Sequence, residues 1–180
     1  MILRRIILFL FIGIILVGNI SFFSPAQSDS QEYILKAAFL YRFTDYIEWT
    51  NESDAQNFTI AVLGESGITA PLNEIAKNKK AKDKSIYIKE CQDIDNIGSC
   101  QVLFVSRNYG PGIENVISKL ADKPVLIVTE QPGACQKGSY INFIISENKL
   151  KFEINLKAAT KAGFKISSQL LQHAILVDTN

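Results

Sequence analysis

The clearest hydrophobic pattern in the chain lies near its carboxyl end. Residues 149–155 alternate strictly between apolar and polar side chains, and residues 140–146 are rich in β-branched and aromatic types. The apolar positions are Leu150, Phe152 and Ile154, and the polar ones are Lys151, Glu153 and Asn155. Alternation is typical of a strand with one buried face, and Glu147 with Asn148 fits a tight turn. The pattern therefore predicts an antiparallel hairpin over residues 140–155.

Two short helices are predicted after this hairpin. Residues 156–162 favour a helix, and Gly163 follows at a position where helix ends commonly adopt the left-handed conformation. Ser167 can cap a last helix. The apolar stripe of that helix is Leu170, Leu171, Ala174 and Ile175. The whole segment is therefore interpreted as a packing device, since it contains no catalytic motif.

Short apolar runs alternate with helix-prone segments through the middle of the chain. The predicted strands cover residues 58–64, 85–89, 102–106 and 125–129, and the predicted helices cover 70–80, 93–97 and 111–120. Nearly continuous apolar strands are typical of a parallel sheet that is covered on both faces. The alternation of strands and helices predicts an α/β fold, a three-layer α/β/α sandwich. Its sheet is mainly parallel, with the C-terminal antiparallel hairpin at one edge.

A long apolar helix is predicted before the first strand, over residues 32–47. Ser28 and Asp29 each begin a capping-box pattern that would open it. Its carboxyl end carries an aromatic cluster of Phe43, Tyr46 and Trp49. Such a cluster is either core or, where exposed, an anchor for a binding partner.

The first 26 residues have the features of a secretory signal peptide. Arg4 and Arg5 precede an apolar run over residues 6–17, which is shorter than the ~20 residues needed to span a bilayer. Small residues before Gln27 predict cleavage there, and an uncleaved N-terminal anchor is the alternative. Residues 27–180 then form a single domain, and the predicted localisation is the periplasm.

Charge and cysteine content limit the function further. The formal net charge of the chain is +1, and without Arg4 and Arg5 it becomes −1, so no general footprint for nucleic acid exists. Cys91, Cys100 and Cys135 are predicted to form one disulfide and leave one thiol, because an exported domain meets oxidising conditions. All three pairings stay open. No metal site is predicted, because no second histidine and no Cys-x-x-Cys accompany these cysteines.

Candidate chemistry at the strand ends is sparse. Open parallel sheets often bind ligands at the carboxyl ends of their strands, where Arg107 and the loop 133–138 are predicted to lie. Arg107 could meet an anionic ligand or pair with a nearby carboxylate. The glycines at 64–67 lack the lysine of a phosphate-binding loop. His173 is the only histidine, and no nucleophile and orienting acid can be assigned to it. No catalytic residue and no cofactor is therefore predicted.

Glu153 and Asn155 lie on the polar face of the second hairpin strand. We expect them to join a polar network that links the first and last parts of the chain, in which Glu153 pairs with Arg42 on the first helix or accepts hydrogen bonds from the amides at a helix N-terminus. Direct contact with a ligand is the alternative.

Two blocks of the sequence resemble the YfiR/HmsC-like family of exported bacterial regulators. The first is residues 35–49, with a K-A-x-x-L-Y-x-F pattern that leads to the aromatic and E-W end at Trp49. The second joins the hairpin to F-E-I-N-L at 152–156 and to Gly163 and the I-S-S-Q-L-L run at 166–171. The resemblance spans about residues 31–176.

This resemblance implies a periplasmic, dimeric α/β domain without enzymatic activity. It implies a regulator that restrains an inner-membrane diguanylate cyclase through the cyclase's periplasmic part, and so limits cyclic-di-GMP output and biofilm formation. Cys100 and Cys135 occupy positions where one branch of the family has redox-active cysteines. Ala61 and Asn142 stand where their partners would be, so the resemblance leaves the disulfide pattern open.

Three functional hypotheses follow. The first is a non-enzymatic regulator that binds, and inhibits, the extracytoplasmic part of a membrane signalling protein such as a diguanylate cyclase, and that forms a homodimer. The predicted partner or dimer contacts are Phe39, Arg42, Phe43, Tyr46, Trp49, Glu153 and Asn155. The second is a periplasmic sensor of a small ligand at Arg107, which works with a histidine kinase or an outer-membrane receptor. The third and weakest is a hydrolase.

Overall fold

A computed structural model describes residues 25–49, 55–121 and 123–178 of the chain. The helices are α1 (Pro25–Tyr46), α2 (Thr69–Asn78), α3 (Ile113–Leu120), α4 (Leu156–Lys161) and α5 (Ser168–Leu171), with a 3₁₀ turn at Ile94–Asn96. The first five strands are β1 (Ile47–Trp49), β2 (Asn57–Leu63), β3 (Lys80–Ala81), β4 (Lys84–Cys91) and β5 (Val102–Val105). The other five are β6 (Leu126–Thr129), β7 (Ile141–Ser146), β8 (Lys149–Ile154), β9 (Phe164–Ile166) and β10 (Ile175–Leu176).

Eight of these strands form one sheet in the order β10-β8-β7-β6-β5-β2-β4-β3. Its five central strands, from β7 to β4, are parallel to one another. The hairpin partner β8 is antiparallel to β7, and β3 is antiparallel to β4. This confirms the predicted α/β fold with a mainly parallel sheet and an antiparallel C-terminal hairpin. The two-residue strand β10, which adds to the outer side of β8 in parallel, was not predicted.

The core follows from the apolar strands. Every residue of β5 and β6 is buried, as expected for parallel strands that are covered on both faces. On β2, Ile60 pairs with Ile88 of β4 and Val102 of β5, which places this strand inside the parallel part of the sheet. The core is therefore centred on β2, β5 and β6.

Local predictions at the carboxyl end are confirmed at their turns. Glu147 and Asn148 both have a positive φ, 53° and 57°, which is the conformation of a type I′ hairpin turn. Gly163 has a φ of 92°, the left-handed end predicted after α4. The Ser167 hydroxyl accepts a hydrogen bond from the Leu170 amide at 3.3 Å and so caps α5.

Two helix boundaries differ from the predictions. Ser28 and Asp29 lie inside α1 and do not open it, because the helix already begins at Pro25. The predicted last helix is shorter than its apolar stripe. Ile175 belongs to β10, where Glu153 is its register partner, and is 41% exposed. The Val177 amide donates a hydrogen bond to the Ile154 carbonyl at 2.9 Å. The chain therefore pairs with β8 at this point and does not continue the helix.

A second, two-stranded sheet was also missed. β1 pairs antiparallel with β9, and the register sets Glu48 opposite Lys165 and Trp49 opposite Phe164. This small sheet ties the end of α1 to the C-terminal part of the chain.

Most of the predicted signal peptide over residues 1–26 lies outside the described residues. Within the part of the chain that the structure covers, no helix has the length and apolar character needed to cross a membrane.

Candidate functional site

An aromatic cluster joins α1 to the C-terminal hairpin. Phe39 and Phe43 lie one helical turn apart on α1, and their rings meet Phe152 of β8 at centroid distances of 5.6 and 5.2 Å. Phe43 also stacks on Phe143 of β7 at 5.8 Å. The (i, i+4) spacing of the two helix residues places both rings on one face, so the cluster is the packing contact between α1 and the hairpin.

A groove of about 410 Å³ opens beside this cluster. We call it the aromatic groove, and its lining includes Phe39, Arg42, Phe43, Tyr46, Phe152, Leu170 and His173. Phe43 and Phe152 are buried, Phe39 and Tyr46 are half-buried, and Arg42 and His173 are exposed. The groove thus combines an apolar floor with a polar rim, which is the usual composition of a protein-binding surface. Four of the seven residues predicted from the sequence as partner contacts meet here.

Arg42 and Tyr46 form one fixed element of the rim. The Arg42 guanidinium donates to the Tyr46 hydroxyl at 2.7 Å and to the Asp45 carboxylate at 3.2 Å, and it lies 5.1 Å from the centre of the Tyr46 ring. Of the two alternatives predicted for Glu153, the pair with Arg42 is therefore wrong. Glu153 instead accepts a hydrogen bond from the Asn142 side chain at 2.9 Å, because Asn142 is its register partner across the hairpin.

Asn155 lies inside the fold. Only 1% of it is exposed. Its side-chain oxygen accepts from the Ala158 amide at 2.9 Å and caps α4, while its amide nitrogen donates to the Cys135 carbonyl at 2.9 Å. The side-chain oxygen and nitrogen of Asn155 are both hydrogen-bonded within the chain, so we do not include this residue in the proposed partner surface.

Trp49 lies away from the aromatic groove. Its indole packs edge-on against Phe58 and Phe164 at 5.5 and 5.9 Å, and its ring nitrogen donates to the Gln101 carbonyl at 3.2 Å. The structure therefore separates Trp49 from the other aromatic residues that the sequence grouped with it, since the chain turns from α1 into β1 between Tyr46 and Trp49.

A cluster of charged side chains occupies the carboxyl end of β6. The Lys36 ammonium donates to Glu32 and to Glu130, and Lys36 and Glu130 are almost fully shielded. Arg107 donates to Glu32 at 2.6 Å and to Glu130 at 3.2 Å, and the Tyr33 hydroxyl donates to Glu130 at 3.3 Å. Arg107 thus pairs with local carboxylates, the alternative that the sequence left open beside anion binding.

The opposite charges in this cluster favour each other's ionised forms. Desolvation lowers the pKa of Arg107, but the Glu130 carboxylate outweighs it and raises that pKa above its ordinary value. Desolvation likewise raises the pKa of Glu32, but Lys36 and Arg107 hold it below its ordinary value. Sequence reasoning missed Lys36 and Glu130. A signal did exist, because Lys36 lies on the buried face of an apolar helix, where a lysine needs a carboxylate partner.

The three cysteines are buried and free. Cys91 is the register partner of Leu63 at the carboxyl end of β2, and it lies near enough to Cys100 to contribute to the raised pKa of that thiol. Burial raises the pKa of the Cys100 and Cys135 thiols to about 12, and it also raises the pKa of Cys91. Such thiols are protonated at neutral pH and poorly nucleophilic. The disulfide therefore stays a prediction from the sequence.

His173 lies in the turn after α5, exposed at the rim of the aromatic groove. Among residues 25–49, 55–121 and 123–178, no group of three histidine, cysteine, aspartate or glutamate side chains could hold a metal ion.

Comparison with known proteins gives a family and a fold. A family model described as YfiR/HmsC-like matches residues 33–175, nearly the whole span predicted from the two sequence blocks. Among curated proteins, no sequence matches this chain.

Two solved structures share the fold at low sequence identity. A conserved domain protein from Vibrio cholerae O1 biovar eltor has a TM-score of 0.54 and 12% identity, over 81% of this chain and 60% of that one. The ABC domain in complex with L-Trp from Streptococcus pneumonia has a TM-score of 0.50 and 13% identity, over 67% of this chain and 55% of that one. The chain therefore spans little more than half the length of either structure, and the likeness concerns the fold alone.

Proposed function

We propose that this chain, which belongs to the YfiR/HmsC-like family, is a periplasmic regulator that binds the extracytoplasmic part of a membrane signalling protein. Members of the family are regulators of cyclic-di-GMP signalling rather than enzymes. The proposed client is therefore an inner-membrane diguanylate cyclase, and the proposed effect is inhibition.

The aromatic groove is the observation that carries the proposal. Aromatic side chains and arginine dominate the binding energy of protein interfaces, and Phe39, Arg42 and Tyr46 line this groove with part of each side chain exposed. The Arg42–Tyr46 contact fixes both side chains before binding, which reduces the conformational entropy lost when a partner docks. We propose the groove as the client-binding surface.

Inhibition would follow from a population shift. A regulator changes the activity of its client only if it binds one conformation of the client more tightly than the other. We propose that this chain binds the inactive conformation of the cyclase's periplasmic part. Its release would then allow the active conformation to form.

The test is complementation in the native bacterium. Deleting the gene should raise cellular cyclic-di-GMP, and expressing the wild-type chain should lower it again. A chain with Arg42→Glu and Tyr46→Ala should fail to lower it, because the groove loses its fixed rim and gains a like charge against any acidic partner surface. Immunoblots of periplasmic extracts should show equal amounts of every variant.

Tyr87→Ala is the matched control. Tyr87 is also a large apolar residue and is 55% exposed, but it lies on β4, away from the groove. The control should lower cyclic-di-GMP as well as the wild-type chain does. Unchanged cyclic-di-GMP after deletion would refute the inhibitor role, and equal failure of the control and the groove variant would refute the assigned surface.

We also propose that the chain is a homodimer, as the family resemblance implies. Light scattering of the purified mature chain would give its mass directly. A monomer at micromolar concentration would contradict this part of the proposal and leave the groove assignment untouched.

A further inference from the structure

A crevice lies at the carboxyl ends of the parallel strands, beside the charged cluster. The chain leaves β2 for β4 on one side of it and later returns to β5 on the other side. Open α/β sheets bind ligands at such switch points, where the loops that follow the two strands diverge. The crevice has a volume of about 530 Å³, within the range of small-molecule sites. We call it the switch-point crevice, and its lining includes Asp29, Tyr33, Glu65, Ser66, Arg107 and Asn108.

The two loops that form the crevice are joined by hydrogen bonds. The Ser106 hydroxyl, which is fully buried, donates to the Glu65 carbonyl at 2.6 Å and accepts from the Asn108 amide at 3.1 Å. Gly64 has a φ of 83°, and a Cβ there would lie 3.3 Å from the Tyr109 Cβ, so a glycine allows the loops to approach this closely. The walls are therefore fixed before a ligand arrives, which lowers the entropic cost of binding.

The crevice offers both hydrogen-bond donors and acceptors. The Arg107 guanidinium uses only Nη2 in its bonds to Glu32 and Glu130. Its Nε and Nη1 have no partner among the residues that the structure describes, and the side chain is 45% exposed. The carboxylates of Asp29 and Glu65 are exposed, and within the described part of the chain they have no hydrogen-bond or ion-pair partner either. A hydroxyl group both donates and accepts, so a ligand with several hydroxyls can use both kinds of group.

Carboxylates outnumber cations in the crevice and the charged cluster beside it. The carboxylates are those of Asp29, Glu32, Glu65 and Glu130, and the cations are those of Lys36 and Arg107. Every residue that adjoins the lining in sequence is uncharged, and the ammonium that cleavage before Gln27 would create still leaves more carboxylates than cations. An anion would therefore be repelled, and a cation would have to share the carboxylates with Arg107. A neutral ligand avoids both costs.

We propose that the switch-point crevice binds a neutral saccharide. Its hydroxyls donate to Asp29 and Glu65 and accept from Nε and Nη1 of Arg107. The sugar ring lies beside Tyr33. No residue of the aromatic groove lines this crevice, and the inference does not depend on the proposed regulator function.

The test compares sugars that share one ring and differ in charge. Glucose, galactose and mannose are titrated into the purified chain by isothermal calorimetry. At least one should bind saturably with a dissociation constant on the order of 1 mM, as a few hydrogen bonds at a half-open site allow. The uronate of that sugar should bind at least ~5-fold more weakly, and its protonated 2-amino derivative should bind no more tightly than the sugar. Cyclohexanol, which has a six-membered ring but one hydroxyl, should give no saturable signal.

Variants of the lining locate the binding. Asp29→Ala combined with Glu65→Ala removes two acceptors and should weaken the sugar at least ~10-fold, about the effect of two hydrogen bonds. The control combines Glu90→Ala with Asp178→Ala, which removes the same charge from exposed positions elsewhere, and should bind like the wild type. Arg107→Lys keeps the positive charge but loses the planar fork of donors, so it should weaken the sugar as well. Thermal unfolding checks that every variant is folded at the temperature of the titration.

Four results would overturn the proposal. The first is no saturable binding of any of the three sugars. The second is a uronate that binds as tightly as its sugar, which would indicate an anion site at Arg107, and the third is an amino sugar that binds more tightly, which would indicate a cation site. The fourth is equal weakening in the crevice and control variants. Each leaves the regulator function standing, since that function is tested by cyclic-di-GMP in cells.

Discussion

The Lys36 ammonium is paired with the Glu130 carboxylate across 94 residues of sequence, with both side chains at most 2% exposed. The pair fixes the middle of α1 to the residue that follows β6. Taking two charges out of water is costly, and only good geometry with further hydrogen bonds compensates for that cost. Arg107, Glu32 and Tyr33 supply those hydrogen bonds.

The first prediction concerns this pair. Lys36→Ala should lower the free energy of unfolding by about 3 kcal/mol, because it leaves Glu130 buried with only Arg107 as a cationic partner. Urea denaturation followed by circular dichroism measures the change. Lys77→Ala is the control, since Lys77 pairs with Glu74 on the exposed surface of α2 and should cost less than about 1 kcal/mol. Equal losses in the two variants would show that burial of the pair has no energetic consequence.

The second prediction is a pH dependence of stability from Glu32. Its pKa is lowered in the folded chain, so the folded state favours the ionised carboxylate. A lowered pKa contributes stability that is fully present above the unfolded value, near 4.5, and that is lost as pH falls through the folded pKa. Unfolding free energies measured by urea titration from about pH 6 down to about pH 3 should therefore fall less steeply in Glu32→Gln than in the wild type.

Glu147→Gln provides the comparison for that titration. The pKa of Glu147 is also lowered, through its hydrogen bond to Lys151, but its side chain is 79% exposed. Screening by solvent reduces the contribution of such a pair to stability. The unfolding free energy of this variant should therefore fall with decreasing pH as that of the wild type does. A Glu32→Gln curve parallel to the wild-type curve would contradict the assigned role of Glu32.

Sequence patterns predicted those features that neighbouring residues determine. The turn at Glu147 and Asn148 and the helix end at Gly163 depend on local backbone preference, and both were confirmed. The positions of the buried strands along the chain were predictable because parallel strands that are covered on both faces need continuous apolar runs.

Features set by distant pairing were not predictable. The strand β10 exists because Ile175 and Leu176 lie beside Glu153 and Ile154 in the folded chain. Two residues are too few to show the alternation of apolar and polar side chains that marks a strand in the sequence. The charged cluster was missed for the same reason, since nothing local marks Glu130 as the partner of Lys36. At the candidate site, the i, i+4 spacing of Phe39 and Phe43 is a local feature that puts both rings on one face of α1. It could not show that Trp49, only six residues after Phe43, lies beyond a turn in another cavity.

The third prediction compares two exposed glycines that have different space around them. A Cβ added to Gly67 would lie 2.6 Å from the Tyr33 ring, whereas one added to Gly110 would have nothing within 4 Å. Gly67→Ala should therefore displace Tyr33, weaken its bond to Glu130, and cost about 1–3 kcal/mol of stability, as overpacking commonly does. Gly110→Ala should be neutral or slightly stabilising, because the unfolded chain loses conformational freedom. Thermal unfolding of both variants decides between them, and a similar change in both would refute the packing argument.

The fourth prediction separates folding from partner binding at Asn155. The structure gives its side chain two internal bonds, one to the Ala158 amide as the cap of α4 and one to the Cys135 carbonyl. Asn155→Ala should remove both and cost about 2–3 kcal/mol, the sum of a lost cap and a buried carbonyl left without its donor. Asn155→Asp should keep the cap and lose only the donor to Cys135, but it also places a charge in a site that is 1% exposed, so it should not restore the wild-type stability. Urea denaturation measures both variants.

If Asn155 acts only inside the fold, then either variant, assayed at a temperature where it is fully folded, should lower cyclic-di-GMP in cells as well as the wild type. A variant that is fully folded and stable but no longer lowers cyclic-di-GMP would instead place Asn155 at the partner surface, as the sequence had predicted.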